Sequence, residues 1–226
     1  MISIVIPTLN EELNIKKTLK KLSLIKNFRD YEYIIVDDNS KDNTLKEVHK
    51  FKKILNINFI KNKKRLGLGY ALKVGYKISK NNFVLFLDAD LSISNKDIVK
   101  LVKKKKVNSI IVGSRYLKNS LIINAPYLKV LLSKLLNLVV SKFYKIPIID
   151  ISHSFRIISK NIPLISKNYS HPGFFWETTI NAKKLKYNIE EIAIKFTERK
   201  YGVSKNKTLI MVKSVIKSLF YLLILK

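Results

Sequence analysis

The chain has 226 residues, no cysteine and three histidines, a composition that excludes disulfides, cysteine-based zinc sites and thiol nucleophiles. A hydrophobic content of 47% is too high for a disordered tail, and a chain of this length buries a sizeable core. The net charge of +28 at pH 7 favours a polyanionic partner, which would be nucleic acid, a phosphorylated substrate or an anionic membrane surface. A biased genome composition is an alternative origin of many of the lysines.

Short apolar runs that are typical of buried strands alternate with longer amphipathic stretches. The runs are Ile2–Ile6, Tyr33–Val36, Ile57–Ile60, Phe83–Leu87 and Ser109–Val112. The stretches between them, such as Glu11–Lys26 and Thr44–Leu55, have the lysine and leucine pattern of helices. This alternation predicts an α/β fold with a mainly parallel sheet. Because Met1 leads directly into the first run without a basic leader, we expect no secretory signal peptide.

Acidic and turn-forming residues follow three of these runs directly, at Pro7–Glu11, Asp37–Ser40 and Asp88–Asp90. Ligands of parallel α/β sheets bind at the carboxyl ends of the strands, so we expect the three segments to meet at one edge. Helix capping or turn formation explains each segment taken alone. Their joint occurrence at equivalent places favours a functional site.

Asp88 and Asp90 stand one residue apart after the apolar sequence FVLFL. Two carboxylates with this spacing can both approach a divalent cation where the backbone turns, and hard oxygen ligands suit Mg²⁺ or Mn²⁺. Gly67, Gly69 and Gly75 indicate a turn and a helix start that would let the backbone approach a ligand. The lysine-serine ending of a phosphate-binding P-loop is missing, so that motif is excluded.

Positive charge is concentrated in the later part of the chain. Residues 1–98 carry 19 basic and 11 acidic side chains, whereas residues 99–226 carry 25 and 5. The stretch Tyr127–Ile146 predicts a helix with one polar stripe on a Leu, Val and Phe surface. The stripe consists of Lys129, Ser133, Lys134, Asn137, Ser141, Lys142 and Lys145. Lys129 and Ser133 are four residues apart on one face of the helix, where both side chains would bind the same phosphate.

Two interpretations of this helix remain open at the level of sequence. In the first, the helix lies in a membrane interface with its apolar side toward lipid. In the second, it is a core helix whose polar stripe faces water. The two differ in which side of the helix is buried, so a structure distinguishes them.

The tail Thr208–Leu225 contains only Lys213 and Lys217 as charged residues. As a helix it would be ~27 Å long at ~1.5 Å per residue, short of a hydrocarbon core of ~30 Å. Each lysine near its middle would cost ~3 kcal/mol at the bilayer centre. We therefore favour an in-plane amphipathic anchor over a spanning helix, with packing on the protein's own core as a third interpretation. The expected division is a catalytic domain at 1–205 and a membrane-associating tail at 206–226.

Seven segments together resemble the dolichyl-phosphate mannosyltransferase group of the family 2 glycosyltransferases in order and approximate spacing. They are PTLNEE (Pro7–Glu12), VDDNSKDNT (Val36–Thr44), RLGLGYA (Arg65–Ala71), LDADLS (Leu87–Ser92), GSRY (Gly113–Tyr116), DISHSFR (Asp150–Arg156) and ERKYGVSK (Glu198–Lys205). The resemblance covers about residues 2–205. It implies the GT-A fold, a Rossmann-like three-layer α/β architecture, to which the chain adds the predicted C-terminal amphipathic helix.

The resemblance also implies a set of functional residues. Those implied to bind the sugar-nucleotide donor are Pro7, Leu9, Glu11, Val36, Asp38, Asp88, Ala89, Asp90, Arg115, Arg199 and Lys205. Those implied to hold Mg²⁺ or Mn²⁺ are Asp88, Asp90 and Ser92. Those implied to bind the acceptor phosphate are Arg115, Lys129, Ser133 and Arg199. Those with an implied catalytic role are Asp90, Arg115 and Arg199.

The chain departs from the pattern of the group at several positions. Leu9 stands where an aromatic residue is usual, and Ser92 stands where the family can supply a third metal ligand. Lys129 replaces an arginine and keeps its charge without the bidentate fork, and His153 replaces a small residue. Glu177 is offset from the acid that the group carries, so it receives no role. These departures bear most on the sugar specificity.

The function that the resemblance implies is inverting transfer of a hexose from a sugar nucleotide to a polyprenyl (dolichyl) monophosphate, giving a β-linked lipid. GDP-mannose is the favoured donor, and a UDP-sugar such as UDP-glucose is the alternative. The expected location is the cytoplasmic side of a membrane, peripheral or anchored by the C-terminal helix, and a small membrane-protein partner is left open. From other classes, the charge allows a basic nucleic-acid-binding protein, and a catalytically silent membrane scaffold is a further alternative.

Overall fold

The structure is a computed structural model, and it describes residues 1–90, 92–198, 213, 215–218 and 220. The strands are β1 (Ile2–Thr8), β2 (Glu32–Asp37), β3 (Asn56–Lys61), β4 (Phe83–Phe86), β5 (Ser109–Ser114), β6 (Leu121–Ile123), β7 (Arg156–Ser159), β8 (Asn188–Ala193) and β9 (Lys195–Thr197). The helices are α1 (Glu12–Ser23), α2 (Thr44–His49), α3 (Leu68–Ile78), α4 (Asn95–Lys103), α5 (Tyr127–Phe143) and α6 (Gly173–Lys184).

Within the described residues, a seven-stranded sheet with the order β3-β2-β1-β4-β7-β5-β8 forms the centre of the fold. Strands β1 to β4 pair in parallel, as do β5 and β8, and β7 runs antiparallel between β4 and β5. The short strands β6 and β9 form a separate parallel pair. The predicted α/β fold with a mainly parallel sheet is confirmed, and each of the five predicted apolar runs is a strand.

Two hydrophobic clusters lie on opposite faces of the sheet and give the fold three layers. One cluster contains residues of α3, α5 and α6, and the other contains residues of α1, α2 and α4. Strands β2 and β5 are buried along their whole length, as expected for strands covered on both faces. The predicted stretch Thr44–Leu55 is helical only to His49, because its end closes into turns with bonds such as Phe51 N–H to the Val48 carbonyl at 3.1 Å.

The start of α3 lies against the segment that leads into α6. Gly67, directly before α3, has a φ of +100°, a backbone conformation that favours glycine. The Gly69 N–H donates to the Tyr169 carbonyl at 2.8 Å. A Cβ at Gly69 would lie 2.6 Å from the Phe174 ring, so only glycine permits this approach. The glycine-rich motif is therefore held at the site edge by the chain around Tyr169.

The described residues of the C-terminal tail, 213, 215–218 and 220, are helical. Ser218 is fully buried, donates to Glu177 Oε1 at 2.9 Å and accepts from Asn168 Nδ2 at 2.9 Å. Val215 packs against the cluster that contains α6, whereas Ile216 and Phe220 are exposed. The interpretation in which the tail packs on the protein's own core therefore describes Val215 and Ser218, and the rest of Thr208–Leu225 lies largely outside the described residues. Across the described ranges, no helix has both the length and the hydropathy for a membrane crossing.

Candidate active site

The ends of β1 and β2 lie side by side and are joined by a buried carboxylate. Thr8 pairs with Asp37 in the parallel register. The Asp37 carboxylate accepts the Thr8 hydroxyl at 3.1 Å, the Ser40 N–H at 2.8 Å and the Ser40 hydroxyl. Asp37 thus fixes the turn after β2. The ends of β1, β2 and β4 meet at one edge of the sheet, as the sequence predicted.

Asp38 connects this turn to the glycine-rich motif. Its buried carboxylate accepts the backbone N–H groups of Leu66 and Gly67, each at 2.8 Å, and Asn62 Nδ2 at 3.0 Å. Three hydrogen bonds within the protein therefore engage the residue that the resemblance implies for nucleoside binding. The role of Asp38 toward a donor stays a prediction, and the structure adds that this carboxylate organises the loop before α3.

The other residues implied in the nucleoside pocket lie around the same strand ends. Pro7 near the end of β1 and Leu9 directly after it are partly exposed, and Pro7 pairs with Val36 in register. The Val36 side chain is fully buried in the hydrophobic core, which leaves only its backbone for a ligand. Glu11 Oε2 accepts Asn14 Nδ2 at 2.7 Å. The predicted nucleoside-pocket residues therefore lie together at the carboxyl edge of the sheet, and the Val36 side chain points into the core.

The Asp88–Asp90 segment leaves β4 and is held from two sides. The Ala89 carbonyl accepts the Thr18 hydroxyl of α1, and the Asp88 carboxylate accepts the Ser154 hydroxyl. Asp90 Oδ1 accepts the Ser92 hydroxyl at 2.7 Å and the Ser92 N–H at 3.2 Å. Asp90 and Ser92, two of the implied metal ligands, are therefore in direct contact.

The donor chemistry of this turn fits a hard divalent cation. Asp88 and Asp90 are partly exposed, and with Ser92 they offer oxygen atoms alone, the ligands that Mg²⁺ and Mn²⁺ prefer. No group of three or more His, Cys, Asp or Glu side chains that could hold a metal occurs in the described part of the chain. A cation here would therefore depend on two carboxylates, with water and substrate oxygens as further ligands.

Arg115, at the end of β5, forms a bidentate pair with buried Asp150. Nε and Nη2 donate to the two carboxylate oxygens at 2.8 Å each, and the Arg115 N–H donates to Oδ2 at 3.0 Å. Burial by itself would raise the pKa of Asp150, but attraction and hydrogen bonds from Arg115 outweigh it and lower that pKa. The pKa of Arg115 is raised by the same pair although burial opposes it. The guanidinium also lies 4.9 Å from the Tyr116 ring centroid and 5.7 Å from that of Phe196.

The residues implied for the acceptor phosphate converge on the first turns of α5. The Tyr116 hydroxyl donates to Ser133 Oγ at 2.7 Å. Because Tyr116 directly follows Arg115, this bond brings Ser133 close to the Arg115–Asp150 pair. Lys129 Nζ forms an ion pair with Glu198 Oε1 at 2.7 Å. Arg115, Lys129 and Ser133 are thus brought to one region. Arg199 and Lys205 lie outside the described residues.

Helix α5 buries the small polar residues of its stripe, whereas its lysines and most of its apolar side are exposed. The buried residues of α5 are Asn137, Val140 and Ser141. Its exposed large apolar residues are Tyr127, Leu128, Leu131, Leu132, Leu135, Leu136, Val139 and Phe143. Asn137 Nδ2 donates to Ser152 Oγ at 3.0 Å, and its Oδ1 accepts Trp176 Nε1 at 3.2 Å. The core-helix interpretation is wrong for the apolar side, which is exposed, and for Asn137 and Ser141, which are buried; the lysines of the stripe face solvent as that interpretation expected.

Buried Arg156 organises the loop that supports Asp88 and Asp150. Its guanidinium donates to the carbonyls of Ile151 and His153 and to Thr179 Oγ1, and it lies 4.6 Å from the Phe175 ring centroid. Burial lowers the pKa of Arg156 to about 9. The sequence placed Arg156 in a motif without assigning it a function. The signal that could have found it is an arginine inside an otherwise apolar strand.

Two buried histidines and one buried glutamate accompany this loop. Burial, together with repulsion from Arg115, lowers the pKa of His153 to about 3 and that of His171 to about 4. The Nδ1 atoms of both rings are buried and have no hydrogen-bond partner among the described residues. Glu177 is fully buried and accepts Ser166 Oγ at 2.9 Å and the Lys167 N–H at 2.7 Å, in addition to Ser218. Glu177 therefore joins the loop before α6 to the tail.

Ligands of mainly parallel α/β sheets bind at the carboxyl ends of the strands, and this chain carries paired carboxylates at that edge. The profile of Glycosyl transferase family 2 matches residues 3–162. The chain belongs to this family and is a glycosyltransferase. The nucleic-acid-binding alternative drawn from the net charge receives no support from this assignment.

Two curated relatives are similar to part of this chain. A dolichol-phosphate mannosyltransferase of Pyrococcus furiosus is 31% identical over 134 residues, which are 59% of this chain and 38% of that protein. An uncharacterized protein of Methanocaldococcus jannaschii is 39% identical over 106 residues, 44% of each chain. The chain therefore matches less than half of the length of these two relatives.

Glucosyl-3-phosphoglycerate synthase from Mycobacterium tuberculosis in complex with UDP superposes with a TM-score of 0.70 at 17% identity, over 98% of this chain and 79% of that one. The S. aureus TarS structure 1–349 gives a TM-score of 0.59 at 20% identity, over 87% of this chain and 60% of that one. These likenesses confirm the expected GT-A fold.

Proposed function

We propose that this glycosyltransferase transfers a hexose from a sugar nucleotide to a polyprenyl monophosphate at a membrane surface, with GDP-mannose as the favoured donor. The observation that carries the proposal is the outward apolar face of α5 directly beside the cationic residues Arg115 and Lys129. A lipid phosphate needs both features, because its chain requires an apolar surface and its headgroup requires cations. The similarity to a dolichol-phosphate mannosyltransferase supports the same acceptor class.

The membrane side of the proposal rests on α5. Its exposed leucines alternate with the exposed lysines 129, 134 and 142. An apolar face bordered by lysines binds an anionic bilayer surface by burial of apolar area and by electrostatic attraction. We therefore place α5 in the membrane interface on the cytoplasmic side, where residues 206–226 would add a further contact. A small membrane-protein partner remains an additional hypothesis for the same surface.

The residues at the sheet edge would bind the donor. Asp88, Asp90 and Ser92 would hold Mg²⁺ or Mn²⁺, which when bound neutralises charge on the nucleoside diphosphate leaving group. Ala89 and the strand-end residues Pro7, Leu9, Glu11 and Asp38 would line the donor pocket. The bond from Ser154 to Asp88 and the bond from Ser92 to Asp90 fix these carboxylates before the substrate arrives.

The acceptor residues would act by positioning. The second pKa of a phosphate monoester is ~6, so the attacking oxygen is already anionic near neutral pH and needs no strong general base. The main obstacle is repulsion between acceptor and donor phosphates. Arg115, Lys129 and Ser133 would offset it and direct the phosphate at the anomeric carbon, with Arg199 and Lys205 as further expected phosphate ligands. A single displacement inverts that carbon, so an α-linked donor gives a β-linked lipid product.

A UDP-sugar such as UDP-glucose is the second candidate donor. The favouring observation is that several glucosyl-3-phosphoglycerate synthase structures similar to this chain contain UDP, two of them with Mn²⁺. The acceptor and the chemistry would be the same for both donors. Only donor profiling separates them.

The decisive test is transfer by the purified full chain. The protein is incubated with Mg²⁺, polyprenyl phosphate in anionic vesicles, and labelled GDP-mannose or UDP-glucose in parallel. We expect a lipid-extractable labelled hexose with one of the donors. Absence of lipid-linked hexose with every donor would contradict the proposal and would favour the silent scaffold.

Asp90→Ala tests the metal and donor site. Because Asp90 is one of only two carboxylates in this turn, we expect transfer to fall at least ~100-fold while the circular dichroism spectrum stays unchanged. Asp30→Ala, a change of an exposed aspartate outside the site, is the matched control and should keep full activity. Near-normal turnover of the Asp90 variant would refute the role in cation binding.

A further inference from the structure

Glu198 places a carboxylate among the residues proposed to bind the acceptor phosphate. Its Oε1 lies 2.7 Å from Lys129 Nζ. The same side chain acts electrostatically on Arg115 and contributes to the raised pKa of that arginine. The acid therefore interacts with two cations that the acceptor phosphate would use. Neither the motif nor its spacing had indicated a role for it.

The backbone holds Glu198 firmly in this place. Its N–H donates to the Ile123 carbonyl at 3.0 Å, directly after the paired strands β6 and β9. The preceding Thr197 N–H donates to the Ser92 carbonyl at 2.9 Å. The backbone at Glu198 is thus tied through Thr197 to the turn that carries Ser92 and directly to the end of β6. Its position is a property of the fold as well as of one surface ion pair.

We infer that the Glu198 carboxylate occupies the anion position of the acceptor site when no acceptor is bound, so that acceptor binding is an exchange of anions. This inference rests on the proposed function. The incoming phosphate replaces Glu198 as the ion-pair partner of Lys129, and the Glu198 carboxylate turns to solvent. No bond is made or broken in this step. Glu198 is a specificity-determining residue that competes with the headgroup and takes no part in the chemistry.

The charges of the two anions decide the exchange. A carboxylate carries one negative charge, whereas a phosphate monoester carries about 1.5 to 2 at pH 7 and has three acceptor oxygens. A phosphate monoester therefore displaces Glu198 from Lys129. A singly charged anion has no electrostatic advantage over the Glu198 carboxylate and does not displace it. Exposed ion pairs contribute ~0–1 kcal/mol, which corresponds to an effect on acceptor affinity of up to about fivefold.

The test compares Glu198→Gln with the wild-type full chain. We expect the KM for polyprenyl phosphate to fall about two- to fivefold at low salt, with the KM for the donor unchanged. Glu198→Asp, which keeps the charge, should restore most of the wild-type KM. Glu190→Gln is the matched control, because Glu190 forms a similar exposed pair with Lys106, at 3.8 Å, outside the site. That control should leave both KM values unchanged.

A binding measurement separates this inference from the proposed function. Affinity for geranyl monophosphate in detergent is measured by calorimetry for the wild type and for Glu198→Gln. If the wild type shows no transfer but the variant binds this probe more tightly, the proposed reaction fails and the anion exchange stands. If the variant shows no tighter binding, or if its acceptor KM is unchanged or higher, Glu198 does not compete with the headgroup and the inference is overturned.

Discussion

Helices α5 and α6 cover the same face of the sheet and have opposite relations to the core. In α6 every residue from Gly173 to Ala182 is buried, including Glu177 and two threonines. In α5 the buried residues are Asn137, Val140 and Ser141, whereas its leucines face outward. Composition alone would place the leucine-rich helix inside and the helix with polar residues outside. The comparison teaches that hydrogen-bond partners decide which helix is buried here.

The partners of each helix explain the difference. In α6, the Glu177 carboxylate accepts hydrogen bonds from Ser166, the Lys167 N–H and Ser218. The Thr179 hydroxyl accepts one from Arg156. Buried polar groups with such partners are tolerated, because each lost bond to water is replaced. In α5, Asn137 donates to Ser152 Oγ in the neighbouring loop, and within the described part of the chain most of the leucines are exposed. The outward leucines therefore remain available for a lipid surface.

The largest effect should come from Trp176, which joins the two helices through its bond to Asn137. Trp176→Ala should lower the free energy of unfolding by ~3–5 kcal/mol, because the substitution leaves a large cavity in the core. Urea unfolding monitored by circular dichroism measures this change. Trp176→Phe, which keeps most of the volume, is the matched control and should lose ~1 kcal/mol. A loss below ~1 kcal/mol for the alanine variant would show that α6 is not the core element described here.

The sequence sufficed for the strands and for the acidic edge, because both depend on local patterns. Continuous apolar runs mark buried parallel strands, and residues such as Asp88 and Asp90 follow one of them directly. The sequence did not determine which side of α5 is buried, because a stripe with Asn137 and Ser141 is compatible with contact to solvent and with contact to buried polar partners. The partners of Arg115 and Glu177 could not be read either. They lie 35 and 41 residues away, at Asp150 and Ser218, and only the tertiary fold brings them together.

A smaller effect should appear in the pH dependence of the α6 region. His171 lies with its ring centroid 5.7 Å from that of Phe175, and burial lowers its pKa to about 4. In the unfolded chain the pKa is ~6.5. Between these values the unfolded state binds more protons, so the free energy of unfolding should fall by ~1–3 kcal/mol as pH drops from 6.5 to 4.

His171→Asn should remove most of this contribution, measured as the difference between urea unfolding at pH 6.5 and at pH 4. His153, whose pKa is lowered to about 3, contributes with the same sign and stays in both proteins, so it cancels in the comparison. His49→Asn, at an exposed position of α2, is the control and should retain the full pH dependence of the wild type. Equal slopes for the wild type and the His171 variant would mean that this histidine is accessible to protons in the folded state.

The smallest effect on stability, and the sharpest test of the comparison, belongs to the outer face of α5. Leu132 is 52% exposed, so Leu132→Ser should change the free energy of unfolding by less than ~0.5 kcal/mol. If this face meets lipid, the same change should weaken binding to anionic vesicles at least about tenfold, because burying a leucine contributes ~1.5–3 kcal/mol. Co-sedimentation with vesicles measures that loss, and Leu24→Ser is the matched control, because Leu24 is an equally apolar, 72% exposed residue at the end of α1, away from α5. A variant that unfolds more easily and still binds vesicles normally would reverse the assignment, because Leu132 would then stabilise the folded protein without contacting lipid.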